Sequence, residues 1–300
     1  MPAKIRKLQF GGLRAVELRT SALRLVAVTS RGPRLAFFGP PGGDNLLYWA
    51  PGRHRRGKWD LMGGHRLWTA RPGADECEET YRPDNAPCVV ERTPGGFTVV
   101  APVDPETKIQ RGIRVRVPAA DRVELDHFAR NTSDMLWSGG LWALTCTVPG
   151  AQTTYSIPLG DGSAWDYAAV IAFHTWGGGH GGAGYEDAQF SFTRDQFVLR
   201  PAGRENKRML KADAGILAMH DPARGVLFAK QAPYCPAAHY PLGTNLAVYV
   251  GPDNFMVELE SMGPFVTLKP GATVHHVETW VLRPAGARPP GATALKKLFA

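Results

Sequence analysis

The chain has no window of 18 or more consecutive apolar residues, so nothing in it reads as a membrane-spanning helix. The stretch MPAKIRKLQFGGLRAVELRT has no uninterrupted apolar run after its lysines, and so does not read as a signal peptide. Cysteine is scarce: Cys77, Cys88, Cys146 and Cys235 show no paired close spacing. Cys77 and Cys88 are placed to bridge one loop, but without a secretion signal the expectation is unpaired thiols and a cytoplasmic protein. No phosphate-binding loop occurs, because the glycine tract at 176–184 has neither a GK[ST] ending nor a following helix. His275 and His276 are strand neighbours that face opposite ways and cannot hold one ion, and His174 and His180, which flank the glycine tract, are the remaining pair, with a metal there a remote alternative. Neither a metal nor a cofactor is expected.

The formal charge is +8 and the pI near 9.5, which admits an anionic partner. The basic residues are scattered, however. The densest groups, at 53–58 and 204–211, sit in no nucleic-acid motif. The charge therefore reads as solubility, with an anionic sugar or other acidic ligand as the class it leaves open.

What is abundant is glycine and proline, 34 and 25 residues in a chain of 300. They are spread throughout, so few windows escape them long enough for a sustained helix, and short strands joined by turns are predicted. Alternating patterns place strands at 15–19, 23–29, 34–38, 89–92, 97–101, 113–117, 123–130 and 141–148, and later at 168–174, 196–199, 215–220, 225–230 and 246–250. Between them, 53–86 reads as a long loop rich in special residues, and loops of that length are usually functional. It contains Gly63-Gly64 followed by His65, Arg66 and Trp68. No domain linker interrupts the chain before 284, and 284–300 reads as a Pro/Ala/Gly linker with a short amphipathic end.

The stretch 255–282 carries the densest chemistry. In its first strand Phe255, Val257 and Leu259 alternate with Met256, Glu258 and Glu260, which puts two carboxylates on one face roughly 7 Å apart. A turn at Lys269-Pro270-Gly271 leads to a last strand in which His276, Glu278 and Trp280 share a face. Such a mixture of apolar, aromatic and ionisable groups is expected to line a groove. Glu260 is the candidate base, with Glu258 as its rival. Arg66 beside Trp68 suits a polar ring with one apolar face, and Trp142 and Trp280 are further stacking candidates. His239, in the loop that also holds Tyr234 and Tyr240, is expected to border the groove.

The GGHRLW block at 63–68, the Tyr81-x-Pro83-Asp84-Asn85 block, the Glu258-Leu259-Glu260 strand and the Pro270-Gly271 turn before Trp280 resemble the galactose mutarotase-like superfamily, over about residues 13–283. The resemblance implies an all-β fold, a single-domain antiparallel β-supersandwich with a sugar on one concave face. It also implies an aldose 1-epimerase-like mechanism. A glutamate, matched by Glu260, takes the anomeric hydroxyl proton; a histidine protonates the ring oxygen; and an arginine, matched by Arg66, binds substrate. The segment where the family places its acid histidine reads Trp137-Ser138-Gly139-Gly140-Leu141-Trp142 here and has none, so the acid would have to come from His65, the first candidate, from His239 or from another group. Three classes stay open on these residues: a sugar isomerase, a non-catalytic carbohydrate-binding or regulatory protein, and a glycoside hydrolase or lyase using Glu258 with Glu260. The expected partner is a small carbohydrate, with no nucleic acid and no membrane.

Overall fold

The computed structural model describes residues 3–56, 59–70, 85–160, 167–173 and 184–300. Two large antiparallel sheets stack face to face. The first, 11-stranded, runs in spatial order Lys4–Phe10, Leu13–Arg19, Arg24–Val28, Arg34–Gly39, His65–Ala70, Trp137–Thr147, Val257–Met262, Leu246–Val250, Asn206–Lys211 and Ala169–Ala172, with Val266–Leu268 paired to one end of Trp137–Thr147. The second, 10-stranded, runs Phe190–Phe192, Gln196–Leu199, Thr154–Pro158, Ile216–Asp221, Val226–Gln231, Thr273–Pro284, Arg122–Asn131, Ile109–Ala119, Gly96–Val100 and Val89–Thr93. This is the β-supersandwich that the resemblance implies, built from the short, turn-linked strands that the glycine and proline distribution predicts. No helix among the described residues is long and apolar enough to cross a membrane.

Period-2 alternation decides which residues meet between the sheets. Leu25, Ala27, Leu35, Val248, Val257 and Leu259 from the first sheet join Ile113, Val115, Leu125, Phe228, Trp280 and Leu282 from the second in one core cluster. A second consequence matters more for chemistry. Residues adjacent to these in sequence, Glu258 and Glu260 among them, face the outer side of the first sheet, away from the partner sheet.

Two sequence expectations change here. The supposed long loop contains the His65–Ala70 strand, which pairs with Trp137–Thr147 near the middle of the first sheet. Its first four residues are buried, and the pattern hides because a histidine, an arginine and a tryptophan occupy strand positions. Likewise 204–211 is not a solvated basic patch: Asn206–Lys211 is a fully buried strand. At the carboxyl end, the helix Ala292–Lys296 seats Leu295, Leu298 and Phe299 against Ile216, Ala218, Leu227 and Ala229 on the back of the second sheet.

Entry into the His65–Ala70 strand depends on Gly64. Its φ is +77°, and a Cβ there would lie 2.4 Å from the Leu35 carbonyl oxygen. Gly271 has the same φ of +77° with nothing within 4 Å. Gly64→Ala is therefore expected to cost the conformational strain of about 1–3 kcal/mol plus a backbone displacement, and Gly271→Ala the strain alone. Urea unfolding of the two variants checks this; equal losses would mean that the close approach to Leu35 carries no energy.

Candidate functional site

Strand register assembles one outer face of the first sheet from segments far apart in the chain. Arg66, Leu144 and Glu260 are direct cross-strand neighbours, followed by Ala247 and Met209. One row along, Trp68, Trp142 and Met262 are aligned; one row the other way, Cys146, Glu258, Tyr249 and Lys207 are aligned. The face thus brings two carboxylates and two tryptophans within a few strand spacings of Arg66 and Lys207, with Arg34 directly opposite Arg66.

Each carboxylate has its own cation. Arg66 Nη2 donates to Glu258 Oε1 at 3.0 Å, and the Cys146 thiol donates to the same oxygen at 3.2 Å. Lys207 Nζ donates to Glu260 Oε2 at 2.9 Å, and the Trp142 indole N–H donates to that oxygen at 2.8 Å. The other oxygen of Glu260, Oε1, is buried and accepts no hydrogen bond from any of the described residues. An unsatisfied carboxylate oxygen in a buried site is costly and needs an explanation. Burial pushes the Glu260 carboxyl above its ordinary range, with Lys207 opposing and the nearby Glu258 charge adding to the rise. Burial likewise pushes the Cys146 thiol well up, so it is a protonated donor and not a nucleophile.

The walls around Glu260 are apolar and aromatic. Met209, Ala247 and Met262 pack with Trp142, Ile171 and Phe173. Trp68 and Trp142 meet edge to face at 5.5 Å, Arg66 lies 4.1 Å over the Trp68 ring, and Lys207 lies 4.7 Å over the Trp142 ring. Trp142 remains partly exposed.

Other predicted site residues lie elsewhere. His65 alternates with Arg66, so its ring points between the sheets, on the opposite side of the strand from Glu260; it cannot be the acid of that face. Trp280 is fully buried in the intersheet core, where its N–H donates to Glu278 Oε2 at 2.7 Å, so it is not a groove residue. The face shared by His276, Glu278 and Trp280 is intersheet space, because Thr273–Pro284 belongs to the second sheet and buries that side. His239 is exposed, in a loop whose carbonyl accepts from Phe265 N–H at 2.7 Å. Cys77 and the Tyr81, Pro83 and Asp84 part of the resemblance lie outside the described residues, as do His174 and His180. Lys207 escaped the sequence reading; its only trace is the alternation of Lys207, Met209 and Lys211 with Arg208 and Leu210.

Directly behind Glu260, the intersheet side carries a closed polar network in which every proton can be placed. His127 Nδ1 meets the His276 carbonyl at 2.8 Å, so that nitrogen carries the proton. A neutral His127 then accepts at Nε2 from His65 Nε2–H, 2.6 Å away, and His65 Nδ1 accepts from the Thr145 hydroxyl at 2.9 Å. Lys230 Nζ donates to Thr145 Oγ1 at 2.9 Å and to Glu278 Oε1 at 2.7 Å. Ser261 donates to Glu278, and therefore accepts from His276 Nε2–H at 2.6 Å. His65, His127 and Glu278 are close enough together to hold a metal ion. Their lone pairs are nevertheless taken by hydrogen bonds, and the Lys230 ammonium already neutralises the carboxylate, so the set is built for protons. Since Ser261 follows Glu260 and Thr145 follows Leu144, the network clamps the two strands that carry the outer-face site.

No protein-family model and no curated sequence matches this chain. Solved structures do. A galactose mutarotase-like protein from Lactobacillus casei superposes with a TM-score of 0.63 at 11% identity, covering 90% of this chain and 100% of the other. A galactose mutarotase-like protein from Clostridium acetobutylicum gives 0.59 at 9%, covering 94% and 99%. A galactose mutarotase related enzyme from Lactobacillus acidophilus gives 0.59 at 10%, covering 92% and 100%. The chain has the galactose mutarotase-like fold. At such identities the likeness establishes the fold and assigns no residue a role.

The network makes stability depend on pH. Burial lowers the affinity of His65, His127 and His276 for a proton, to a pKa of about 3 for His276. Burial, the largest single influence, would raise Glu278, but the surrounding groups together, Lys230 foremost, hold the carboxyl below its usual range. Below the ordinary histidine pKa of about 6.5 the unfolded chain gains protons that the folded chain refuses, so stability present at pH 7.5 is lost as pH falls. The raised Glu260 carboxyl acts in the opposite sense, one group against three. For His276 the expected loss at pH 5 is on the order of 2 kcal/mol before that offset, and His65 and His127 add to it in the same sense. Urea midpoints measured at pH 7.5 and pH 5 read it directly, and an unchanged midpoint would show that the histidines are not held neutral.

Proposed function

We propose that this protein binds a small carbohydrate in its free, reducing form on the Glu260 face of the first sheet and interconverts its anomers, with Glu260 as the base. The observation that carries the reading is the buried Oε1, without a partner among the described residues, on a carboxylate whose other oxygen is fixed by Lys207 and Trp142. A sugar hydroxyl is the donor that would satisfy it, and a carboxylate raised by burial is a stronger base than one in water. Trp142 and the methionine-lined patch offer a surface for the apolar face of a sugar ring, and Arg66, fixed on Glu258 and stacked on Trp68, borders it.

Because Oε1 is buried, a ligand must displace something to reach it. Trp142, partly exposed and hydrogen-bonded to the same carboxylate, is the side chain whose movement opens the way. Glu258 is the weaker choice as base, since Arg66 and Cys146 both occupy its Oε1. A glycosidase reading fares worse than at the sequence level. Its two carboxyl groups flank a bond, whereas these two stand side by side on one strand, each bound to its own cation.

A second reading, a non-catalytic sugar-binding protein, draws on the identity of Glu260's hydrogen-bond partners among the described residues. They are Trp142 and Lys207, with no histidine to supply an acid.

Glu260→Gln separates the two. For the enzyme, NMR exchange between anomer resonances of a panel of free aldoses and acidic aldoses is expected to slow by about a hundredfold or more, while affinity changes little. Binding should alter the tryptophan fluorescence of the wild type, and Trp142→Phe should remove most of that change. A wild-type protein that binds a sugar and quenches, yet never speeds anomer exchange, is the binder.

A further inference from the structure

We infer that Lys207 is the proton donor of this site, its ammonium protonating the sugar's ring oxygen while Glu260 Oε1 takes the anomeric hydroxyl proton. This rests on the epimerase reading above and supplies the acid which that reading lacks, His65 being on the other side of the sheet.

The geometry favours Lys207 over other groups near the carboxylate. Its Nζ lies 2.9 Å from Glu260 Oε2 and 4.7 Å from the Trp142 ring centroid, with only 3% of the side chain exposed. Trp142, the other donor to Glu260, has an indole N–H that is no acid, and Arg66 is committed to Glu258 and keeps its proton at any working pH. The acid and the base therefore sit on the two oxygens of one carboxylate. The anomeric and ring oxygens of an aldose are bonded to one carbon, so a single ring lying against Trp142 presents both at once.

The proton count closes. Glu260 removes the O1 proton, the O1–H electrons form the carbonyl bond, the C1–O5 bond breaks, and O5 takes its proton from the Lys207 ammonium. This leaves a neutral carboxylic acid beside a neutral amine. After rotation about C1–C2, O5 attacks the other carbonyl face and returns its proton to Lys207, while O1 recovers one from Glu260. Net charge never changes, and nothing else is consumed. Burial assists the forward step at Glu260, where it raises the carboxyl's hold on the proton it takes.

The test compares wild type, Glu260→Gln, Lys207→Arg and Lys207→Met by anomer exchange on the same aldose panel, with thermal melts to confirm folding. Lys207→Arg is decisive. It keeps a cation against Glu260, so the fold is expected to hold, but a guanidinium does not release its proton. Activity is expected to fall at least about a hundredfold with KM within a few-fold, and Lys207→Met to fall as far. In a Lys207→Ala protein, added ethylammonium should restore part of the rate, which a purely structural lysine would not permit. If wild type is active and Glu260→Gln is not, while Lys207→Arg runs within a few-fold of wild type, the lysine assignment is wrong and the epimerase reading survives. If wild type accelerates exchange for no aldose, both fall together.

Discussion

Two carboxylates on one buried strand set the terms for this molecule. Glu258 and Glu260 project from the same side of Val257–Met262, and neither reaches water to any extent. An isolated buried carboxylate costs several kcal/mol, so each demands a cation, and the chain delivers them from remote places: Arg66 from the fifth strand of the first sheet and Lys207 from its opposite wing. Removing one member of such a pair is far more damaging than replacing both, typically about 3–5 kcal/mol, because the survivor is left charged and alone. The two ion pairs thus tie together strands that hydrogen bonding alone would join only through intermediaries. They also fix where the tryptophans lie, since Arg66 stacks on Trp68 and Lys207 on Trp142.

The intersheet network is the counterpart of that arrangement on the reverse side. A sheet normally fills its inner face with aliphatic residues, and most of this one does. Behind Glu260 it instead places Thr145 and Ser261, each engaged by groups of the second sheet: Lys230, His276 and Glu278. Hydroxyls cannot slide past such partners as methyl groups can, because a shift of one residue would strand several buried polar atoms at once. The register that aligns Leu144 with Glu260, and so Arg66 with both, is pinned from behind.

The alternation of Val257 and Leu259 with Glu258 and Glu260 was legible in the sequence, since a period of two assigns faces without any knowledge of neighbours. So were most hairpins, through the glycine and proline spacing. What alternation does not encode is which face of a strand meets the second sheet. His65 and Arg66 are adjacent and both chemically suggestive; only the pairing of His65–Ala70 with its neighbours shows that the arginine faces outward and the histidine inward. Trp280 misled for the same reason: it shares a face with ionisable residues, but that face closes on the core. Lys207 was hidden differently. A strand reading Asn-Lys-Arg-Met-Leu-Lys looks solvated, and its burial follows from partners about fifty residues further along the chain.

A buried ion pair can be read as mere architecture, and at Glu258 that reading is complete: Arg66 and Cys146 engage one carboxylate oxygen, and Arg66 is further held by the Leu61 carbonyl. At Glu260 it is not. Architecture alone would leave no buried oxygen without a partner, or would replace the pair with apolar side chains, which is often neutral or stabilising. The described structure instead leaves one oxygen unsatisfied, beside an apolar patch and under a partly exposed indole. Two otherwise similar carboxylates, two residues apart, are thus held in different conditions: Glu258 has Arg66 and Cys146 on its Oε1 and no buried oxygen without a partner, whereas the buried Oε1 of Glu260 has none among the described residues. Such a separation of environments is how a fold assigns different tasks to identical groups. It is the difference between them, more than the presence of either, that points to Glu260 as the atom-level centre of whatever this face does.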